Sequence, residues 1–567
     1  MSYSDGATPP VARAYDPAGR LVTMADGTGT SHYYYDALGR LVVAEAGPGG
    51  AVGYAYDPAG ALTELAYPDG RVVGYSYDPA GRMASLSDGS GRTTSFSYDA
   101  GGDLVGEAFP NATTESLSYD PAGAASSIRA TGPGGNFMSL LYGRDPRGLL
   151  TSEDFTGYRY DSSGRLVSQS PDGTAYGYGT AGDIVSASVP GFALALGYDA
   201  AHEMTGVAGS GAATLGYDPE GELTSTSGLL GQAGYSYDQA GRLVGYSGAG
   251  HAASYAYGGN GLRSSENADG TTLALTWDQA GPLPTVMAEG PTDLITGPGG
   301  LPVEQVAAGG SPYFYATDQL GSTRALTDAA GAVAGSYSYS AYGAFASYSS
   351  AVLPVVDYAG GLYDVVSGQY YLGARTYDPG IARFLTVDPL AALTGARYSY
   401  AGGSPLNAVD PSGLCAATAQ AGGTAAAVVS DPLLAGLRSA AGTGNAVAPA
   451  VAAVAFGPGQ VLGNQTVLGA APANTTILAS AATPEGDPVA SAEGPTSGEP
   501  GTLGAEGAGG GLLGENGTQV TSETLTPPNR PYWVDVENPA PGVRAGQLHL
   551  QDATGNKYPL QLRYRRV

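Results

Sequence analysis

Tyr77-Asp78-Pro79-Ala80-Gly81-Arg82 is the stretch that decides the fold, because it returns along the chain with little change. A nearly fixed spacing separates its copies, of 20 residues once and 21 residues four times within the first 120 residues. Such a period is typical of repeat proteins, in which one unit cannot bury its own apolar face and stacks on its neighbours. The aspartates of this series each directly follow a tyrosine: Asp16, Asp36, Asp57, Asp78, Asp99 and Asp120.

Each repeat is predicted to form a strand, a tight turn and a return strand. Asp-Pro-Ala-Gly suits a type I turn, because Asp accepts backbone hydrogen bonds, Pro fixes φ and Gly relieves the last position. Before the turn, tyrosines alternate with small residues, as in Tyr75-Ser76-Tyr77, which places both rings on one face of a strand. We interpret the Tyr-Asp pairs as structural rather than catalytic.

The repeats loosen but continue to about residue 285, with Trp277-Asp278 as the last copy. About fourteen repeats of two strands each predict a ribbon of about 28 strands, so the fold class is all-β. The array begins about ten residues into the chain without a capping module, which repeat arrays normally need. We expect a neighbouring chain or a longer reading frame to complete it.

Composition argues against several kinds of function. The net charge of −27 makes nucleic acid an unexpected ligand for the bulk of this surface. A single cysteine excludes an internal disulfide framework, and the four dispersed histidines form no ligand cluster with it, so we predict no metal site and no cofactor. No signal-peptide pattern and no transmembrane helix is visible in the sequence. The histidines are His32, His202, His251 and His549.

From about residue 300 to residue 414 the sequence changes character. Its motifs are Tyr370-Tyr371-Leu372-Gly373-Ala374-Arg375-Thr376-Tyr377-Asp378-Pro379, then Ala382-Arg383-Phe384-Leu385-Thr386-Val387-Asp388-Pro389, and finally Asp410-Pro411-Ser412-Gly413-Leu414. This order closely resembles the core domain of the rearrangement-hot-spot (Rhs) and tyrosine–aspartate (YD) repeat proteins, a family of polymorphic toxins. The resemblance covers roughly residues 10–414.

The resemblance implies a β-hairpin ribbon that spirals into a hollow, partial shell, with the core segment plugging one end. It implies a toxin-delivery protein, secreted or at the cell surface, that encloses a variable C-terminal toxin. The setting would be interbacterial competition or an insecticidal toxin complex. Expected partners are the chain's own C-terminal segment as cargo, a capping shell chain or secretion-system component, and an immunity protein.

The resemblance also implies an autoproteolytic cut after Leu414, at its bond to Cys415. The carboxylates carried over from the family are Asp388 and Asp410, which would form an aspartyl-protease-like pair. Peptide hydrolysis needs two carboxylates, since one takes a proton from water while a second, protonated one donates to the carbonyl oxygen. No other enzymatic activity can be assigned.

Arg383 is predicted as the supporting charge of this pair. Some relatives carry an arginine directly before the upstream aspartate, where this chain has Val387, and Arg383 is the nearest substitute. The alternative interpretation is that both aspartates open Asp-Pro turns like those of the repeats. We interpret Cys415 as a small residue beside the cut rather than as a thiol nucleophile, because no histidine lies near it in the sequence.

Four segments are predicted: a YD-repeat shell at 1–300, the core domain at 301–414, a low-complexity segment at 415–525 and a short toxin-like module at 526–567. The third segment is rich in Ala and Gly and is expected to be largely disordered. The last one ends abruptly, and no toxin activity can be assigned to it. Two other functions stay open: a cell-surface or wall-associated carbohydrate-binding adhesion protein, and a decayed fragment without an active toxin.

Overall fold

The structure of the chain is a computed structural model that divides into two compact units, Met1–Leu462 and Gly463–Val567. Cys415 and almost all of the predicted low-complexity segment, residues 415–525, lie outside the described residues. The four segment boundaries stay predictions. The described residues are 3–281, 283–350, 352–414, 417–418, 521–524, 532–538, 547–552 and 557–559.

One sheet of 34 strands dominates the first unit. Its first strands are β1 Ala12–Tyr15, β2 Leu21–Asp26, β3 Gly29–Tyr35, β4 Leu41–Ala46, β5 Gly50–Tyr56, β6 Leu62–Ala66, β7 Val72–Tyr77, β8 Met83–Ser87, β9 Thr93–Tyr98, β10 Leu104–Ala108, β11 Thr114–Tyr119 and β12 Ala125–Gly132. Next come β13 Gly135–Arg144, β14 Leu150–Glu153, β15 Thr156–Tyr160, β16 Leu166–Ser170, β17 Ala175–Tyr178, β18 Ile184–Val189, β19 Phe192–Tyr198, β20 Met204–Gly209, β21 Ala213–Tyr217, β22 Leu223–Gly228, β23 Ala233–Tyr237 and β24 Leu243–Gly248. The last are β25 His251–Tyr257, β26 Arg263–Ala268, β27 Thr271–Asp278, β28 Thr285–Glu289, β29 Thr292–Thr296, β30 Pro302–Val306, β31 Pro312–Thr317, β32 Thr323–Thr327, β33 Val333–Tyr339 and β34 Phe345–Ser350.

Each strand of this sheet pairs antiparallel with the next one along the chain, as a continuous series of hairpins. The strands from β1 to β28 end at Glu289, which agrees with the number predicted from the repeats. The prediction of an all-β repeat ribbon is confirmed. The sheet is open, with β1 and β34 at its edges among the described residues, and β30–β34 extend it into the predicted core domain.

The turn of a repeat is stabilised by residues of that same repeat, as Asp36 illustrates. Its Oδ1 accepts a hydrogen bond from the Arg40 backbone N–H (2.9 Å), while its Oδ2 pairs with Arg40 Nε (2.7 Å). The Arg40 guanidinium then lies 4.7 Å from the ring of Tyr56 in the next repeat. The Tyr56 hydroxyl donates to the Leu41 carbonyl (2.9 Å), which fastens consecutive hairpins together. The same cation–π contact joins Arg20 to Tyr35, Arg82 to Tyr98, Arg165 to Tyr178 and Arg242 to Tyr257.

The ribbon coils back on itself. Thr276 Oγ1 donates to the Gly49 carbonyl (3.0 Å), and the Tyr67 hydroxyl donates to the Leu294 carbonyl (2.8 Å). The joined residues lie 227 residues apart in both cases, so one turn of the coil takes about eleven repeats. Further polar contacts between the early and the late part of the ribbon join Arg71 to Asp293, Arg92 to Glu304, and Asn111 to Thr327.

A second, small sheet follows the ribbon and packs on it. Its strands are β35 Leu362–Asp364, β36 Gln369–Leu372, β37 Arg375–Asp378 and β38 Arg383–Phe384. The Tyr371 ring of β36 lies 6.2 Å from the ring of Tyr257 and 6.1 Å from that of Trp277, both on the ribbon. This sheet and its two flanking turns carry the candidate site.

The remaining elements of the first unit are short. The helix α1 spans Ala391–Thr394, and the strand β39 Ala408–Val409 pairs with β40 Ala417–Thr418. No helix within the described residues is both long and apolar enough to cross a membrane. Single 3-10 turns occur at Gly47–Gly49, Pro298–Gly300, Tyr358–Gly360 and Ala401–Gly403.

The second unit contains one antiparallel sheet. Its strands pair in chain order, so this sheet too is a series of hairpins. They are β41 Thr521–Thr524, β42 Tyr532–Asn538, β43 Gln547–Asp552 and β44 Lys557–Pro559.

Candidate active site at the end of the core segment

Asp388 and Asp410 meet at one guanidinium group. Arg375 Nη2 lies 3.2 Å from Asp388 Oδ2 and 3.2 Å from Asp410 Oδ2. The two carboxylate oxygens are therefore separated by no more than twice that distance, although the residues stand 22 positions apart in the sequence. Asp388 is 4% exposed and Asp410 is 3% exposed. The structure thus brings the two predicted carboxylates together in a nearly dry environment, bridged by Arg375.

A local turn orients Asp388. Its Oδ1 accepts a hydrogen bond from the Leu390 N–H (2.7 Å), two residues further along. Its backbone N–H donates to the Arg397 carbonyl (2.7 Å), and its carbonyl accepts from the Ala391 N–H (2.9 Å) where α1 begins. An aspartate that bonds its own backbone in this way fixes the direction of its carboxylate, here toward Arg375.

The boundary motif folds as a turn that brings its last residue back to Asp410. The Leu414 N–H donates to Asp410 Oδ1 (3.0 Å), and the Gly413 N–H donates to the Asp410 carbonyl (3.2 Å). Gly413 has a φ of +66°, a conformation that favours glycine. A Cβ at this position would lie 2.8 Å from the backbone nitrogen of Arg375 and closer still to the Leu372 carbonyl oxygen. The glycine therefore allows the chain to pass closely against the turn between β36 and β37.

Arg375, the first residue of β37, contacts the boundary motif through its own side chain, and the backbone of the neighbouring Ala374 contacts it as well. Its guanidinium carbon lies 3.6 Å from the centroid of the Phe384 ring, which covers one face of the group. Its Nε donates to the Gly413 carbonyl, and the Ala374 N–H donates to the Ser412 carbonyl (2.9 Å). Residues 412 and 413 are thus bonded along the end of the core sheet.

The residue before the expected cut has its own apolar pocket. Leu414 is 2% exposed and packs against Leu390 and Ala374. A cavity of about 10 Å³, room for about one water molecule, borders Arg375 and Thr386 close by. Among the described residues, no three His, Cys, Asp or Glu side chains are grouped as metal ligands would be.

Burial and two neighbouring charges act on the carboxyl group of Asp388. Burial raises the pKa of Asp388 above its ordinary value; the Arg375 guanidinium and the Leu390 N–H oppose the rise, and the charge of Asp410 adds to it. Asp410 Oδ1 accepts from the Leu414 N–H and from Ser412 Oγ (3.3 Å), bonds that stabilise a negative charge. Burial therefore favours the protonated form of Asp388, while each of the two carboxylates accepts a backbone N–H bond.

Arg383, the predicted supporting charge, lies elsewhere. Its Nη1 is 3.5 Å from Asp183 Oδ1, and its Nη2 donates to the His202 carbonyl (2.6 Å), both on the ribbon. Successive side chains of a strand point to opposite faces. Because Phe384 on β38 faces the Arg375 guanidinium, Arg383 beside it faces away. The guanidinium that contacts both predicted carboxylates is that of Arg375.

Sequence reasoning missed Arg375, although the sequence holds one signal for it. In the repeats an arginine follows its turn aspartate by four residues and pairs with it, as Arg82 does with Asp78. Arg375 instead precedes Asp378 by three residues, so it stands outside that pattern. An arginine that is not used by its own turn is a candidate for a partner elsewhere in the fold.

Two family models match the chain. The one described as RHS Repeat matches residues 15–52, 56–93 and 77–114. The one described as Teneurin YD-shell matches residues 297–397, which include Arg375.

Sequence alignments with several known proteins cover about a fifth of this chain. The salivary gland surface protein 1 of Aedes aegypti is 37% identical over 110 residues, 19% of this chain and 3% of that protein. The tRNA3(Ser)-specific nuclease WapA of Bacillus spizizenii is 35% identical over 113 residues, 18% of this chain and 5% of that protein. The double-stranded DNA deaminase toxin A of Burkholderia cenocepacia is 32% identical over 107 residues, 18% of this chain and 8% of that protein. The chain spans less than a tenth of the length of these relatives.

The fold is also similar to that of solved toxin structures. The TcdB2-TccC3 crystal structure aligns with a TM-score of 0.54 at 18% identity, over 72% of this chain and 26% of that chain. The Tc holotoxin pore of Photorhabdus luminescens aligns with a TM-score of 0.50 at 18% identity, over 72% of this chain and 24% of that chain. The chain thus spans about a quarter of each solved chain, and at this identity the likeness shows the fold.

A coiled antiparallel ribbon of Tyr-Asp repeats, followed by a small core sheet that packs on it, defines a YD-repeat protein. The chain belongs to the Rhs/YD-repeat family. The family recognised from the sequence motifs is confirmed.

Proposed function

We propose that this chain is the delivery shell of a C-terminal toxin and that it cuts itself after Leu414. The observation that carries the proposal is the buried cluster of Asp388, Arg375 and Asp410, with the Leu414 N–H bonded to one of the carboxylates (3.0 Å). Support comes from relatives that are named as a deaminase toxin and a tRNA nuclease, and from the fold shared with a Tc holotoxin.

In the proposed reaction, Asp410 takes a proton from a water molecule as the water oxygen attacks the carbonyl carbon of Leu414. Asp388 gives its proton to the carbonyl oxygen, which forms a neutral tetrahedral intermediate. The bond to the Cys415 nitrogen then breaks, that nitrogen takes the proton held on Asp410, and one hydroxyl proton returns to Asp388. One water is consumed, and the products are a carboxyl group on Leu414 and an amino group on Cys415.

The proposed cargo is the chain's own segment after Leu414. In this proposal the protein is exported and serves interbacterial competition or an insecticidal toxin complex, and a capping chain completes the ribbon. An immunity protein would protect the producing cell from the released segment.

The cut and the enclosure can be tested on one preparation. We expect the purified chain to contain two fragments, residues 1–414 and 415–567, that stay together in native buffer and separate in denaturant. Intact-mass analysis of size-exclusion fractions measures both properties. Fragments that separate without denaturant would contradict the enclosure, and a single uncut mass would contradict self-cleavage.

Gly413→Ala is expected to slow the cut strongly. The added Cβ would collide with the Leu372 carbonyl and the Arg375 nitrogen, so the residue before the cut would be displaced. A misplacement of about 1 Å at a reacting centre reduces the rate by about 100-fold. Gly402→Ala is the matched control, because Gly402 has a similar φ of +60° but no atom within 4 Å of the added carbon. Equal cleavage rates in the two variants would contradict the importance of this close passage.

A further inference from the structure

We propose that Glu107 and Glu115 form a pH-sensitive contact between the ribbon and one turn of the core segment, residues 317–322. This turn is called the core turn below. The contact holds while the two carboxyl groups keep a proton, and it opens at alkaline pH. The device lies outside the candidate active site and does not depend on the proposed self-cleavage.

The two glutamates lie directly opposite each other on the buried face of the ribbon. Glu107 of β10 is in register with Glu115 of β11, and Glu115 is 5% exposed. The residues in register with them on the neighbouring strands are apolar: Phe96 on β9, Ala130 on β12 and Met138 on β13. Side chains opposite each other on antiparallel strands have Cβ atoms about 4.5–5.5 Å apart. Two carboxyl groups therefore lie side by side in an otherwise apolar row.

The core turn packs against this pair. It follows β31, and the backbone N–H of Thr317 donates to the Glu115 carboxyl group. Asp318, the next residue, is close enough for its charge to act on Glu115. Ala316, directly before the turn, lies in one apolar cluster with Leu117 of β11. The glutamate pair is thus part of the contact between the early ribbon and the core segment.

No cation acts on either carboxyl group among the described residues. The titratable groups that face the pair are Tyr98 from β9, Tyr119 from β11 and Asp318 from the core turn. Burial and then the charges of Glu107 and Asp318 raise the pKa of Glu115 well above its ordinary value, and the backbone N–H of the core turn opposes the rise. Burial raises the pKa of Glu107 to about 7.

The pair therefore stabilises the contact in its protonated form. Two charged carboxylates side by side repel each other, and a shared proton removes that repulsion. Because both pKa values are raised in the closed state, closing binds protons, and the contact is most stable at acid pH. As the pH rises from the ordinary Glu value toward the raised ones, opening becomes more favourable by up to about tenfold per pH unit for each proton released.

The test measures opening at Ser322, which is fully buried in the core turn. Ser322→Cys is combined with Cys415→Ser in the full chain, so that the protein carries one thiol. The rate of its alkylation by iodoacetamide is measured from mildly acid to alkaline pH and divided by the rate for the same chain in urea at the same pH. With both glutamates present, we expect this ratio to rise by up to about tenfold per pH unit.

The double variant Glu107→Gln/Glu115→Gln should lose most of this rise, because an amide has nearly the shape of the protonated acid but no proton to release. Glu115→Gln alone should show a smaller rise than the chain with both glutamates. Glu64→Gln is the matched control, since Glu64 is an exposed glutamate of β6, and it should keep the full rise.

A full rise in both Gln variants of the pair would overturn the inference. A ratio that does not change with pH in the chain with both glutamates would overturn it as well. Alkylation at residue 322 does not require the cut after Leu414. A chain that stays uncut therefore contradicts the proposed function alone, and the two failures are distinguishable.

Discussion

Asp388→Asn and Asp410→Asn are each expected to abolish the cut after Leu414 without unfolding the ribbon. An amide neither accepts a proton from water nor donates one as a carboxylic acid does, so each variant loses one half of the acid–base pair. The expected loss in rate is about 10²–10⁴-fold. The measurement is the mass of the full chain and its fragments over time after translation.

Asp378→Asn is the matched control for both variants. Asp378 also opens an Asp-Pro turn in the core, and its Oδ1 accepts from the Gly380 N–H (2.8 Å). If Asp388 and Asp410 were only turn residues, as the alternative interpretation holds, all three variants should behave alike. A wild-type rate in either Asp388→Asn or Asp410→Asn would show that the carboxylate pair is misassigned.

At alkaline pH, where Glu266 is charged, Arg263→Ala is expected to lower the free energy of unfolding by about 3–5 kcal/mol, the cost of breaking a buried ion pair. Arg263 is 2% exposed, and its guanidinium carbon lies 4.0 Å from the Tyr255 ring and 4.4 Å from the Tyr371 ring. Its Nη1 lies 3.2 Å from Glu266 Oε2. The variant leaves Glu266 buried without this cation, close to the charge of Asp364.

The pH dependence of this loss has a definite sign. Burial and then Asp364 raise the pKa of Glu266, and Arg263 opposes the rise. Without Arg263 the pKa of Glu266 should rise further, so the folded state of the variant favours the protonated form of Glu266 more strongly. The pH-dependent part of the loss should therefore grow as the pH rises through the wild-type Glu266 pKa of about 8, and should be small below it, where both chains hold Glu266 protonated.

Urea unfolding at several pH values measures this effect. Arg147→Ala is the control, because the Arg147 side chain is 49% exposed and pairs with Asp145 at the surface. An exposed ion pair of this kind contributes about 0–1 kcal/mol. Equal losses in Arg263→Ala and Arg147→Ala would contradict the account of the buried cluster.

The fold could be predicted because its determinants lie close together in the sequence. Asp36, Arg40 and Tyr56 make one turn and fasten it to the next, and all three fall within a single repeat period. The interactions that shape one repeat can therefore be predicted from the sequence of that repeat. The count of strands followed, because each copy contributes one hairpin.

The site could be predicted only in part. The Asp-Pro-Ser-Gly-Leu boundary pointed to Asp410, and the preceding Asp-Pro pointed to Asp388. Arg375 lies 35 residues from Asp410, and their contact depends on the order of strands in the core sheet, which no local pattern contains. The same holds for Arg263, whose backbone bonds the Tyr371 hydroxyl across 108 residues (3.1 Å). Such contacts depend on how the ribbon coils and where the core sheet rests on it.

The central claim is that the carboxylate pair of this chain hydrolyses its own bond after Leu414. The most direct test is translation of the full chain in a system of purified components without proteases, in water enriched with heavy oxygen. We predict that fragments 1–414 and 415–567 appear, that the new carboxyl group of Leu414 carries one heavy oxygen atom from the solvent, and that the Asp388→Asn chain stays whole. A wild-type chain that stays whole under these conditions, or an Asp388→Asn chain that is cut at the same rate, would contradict the claim.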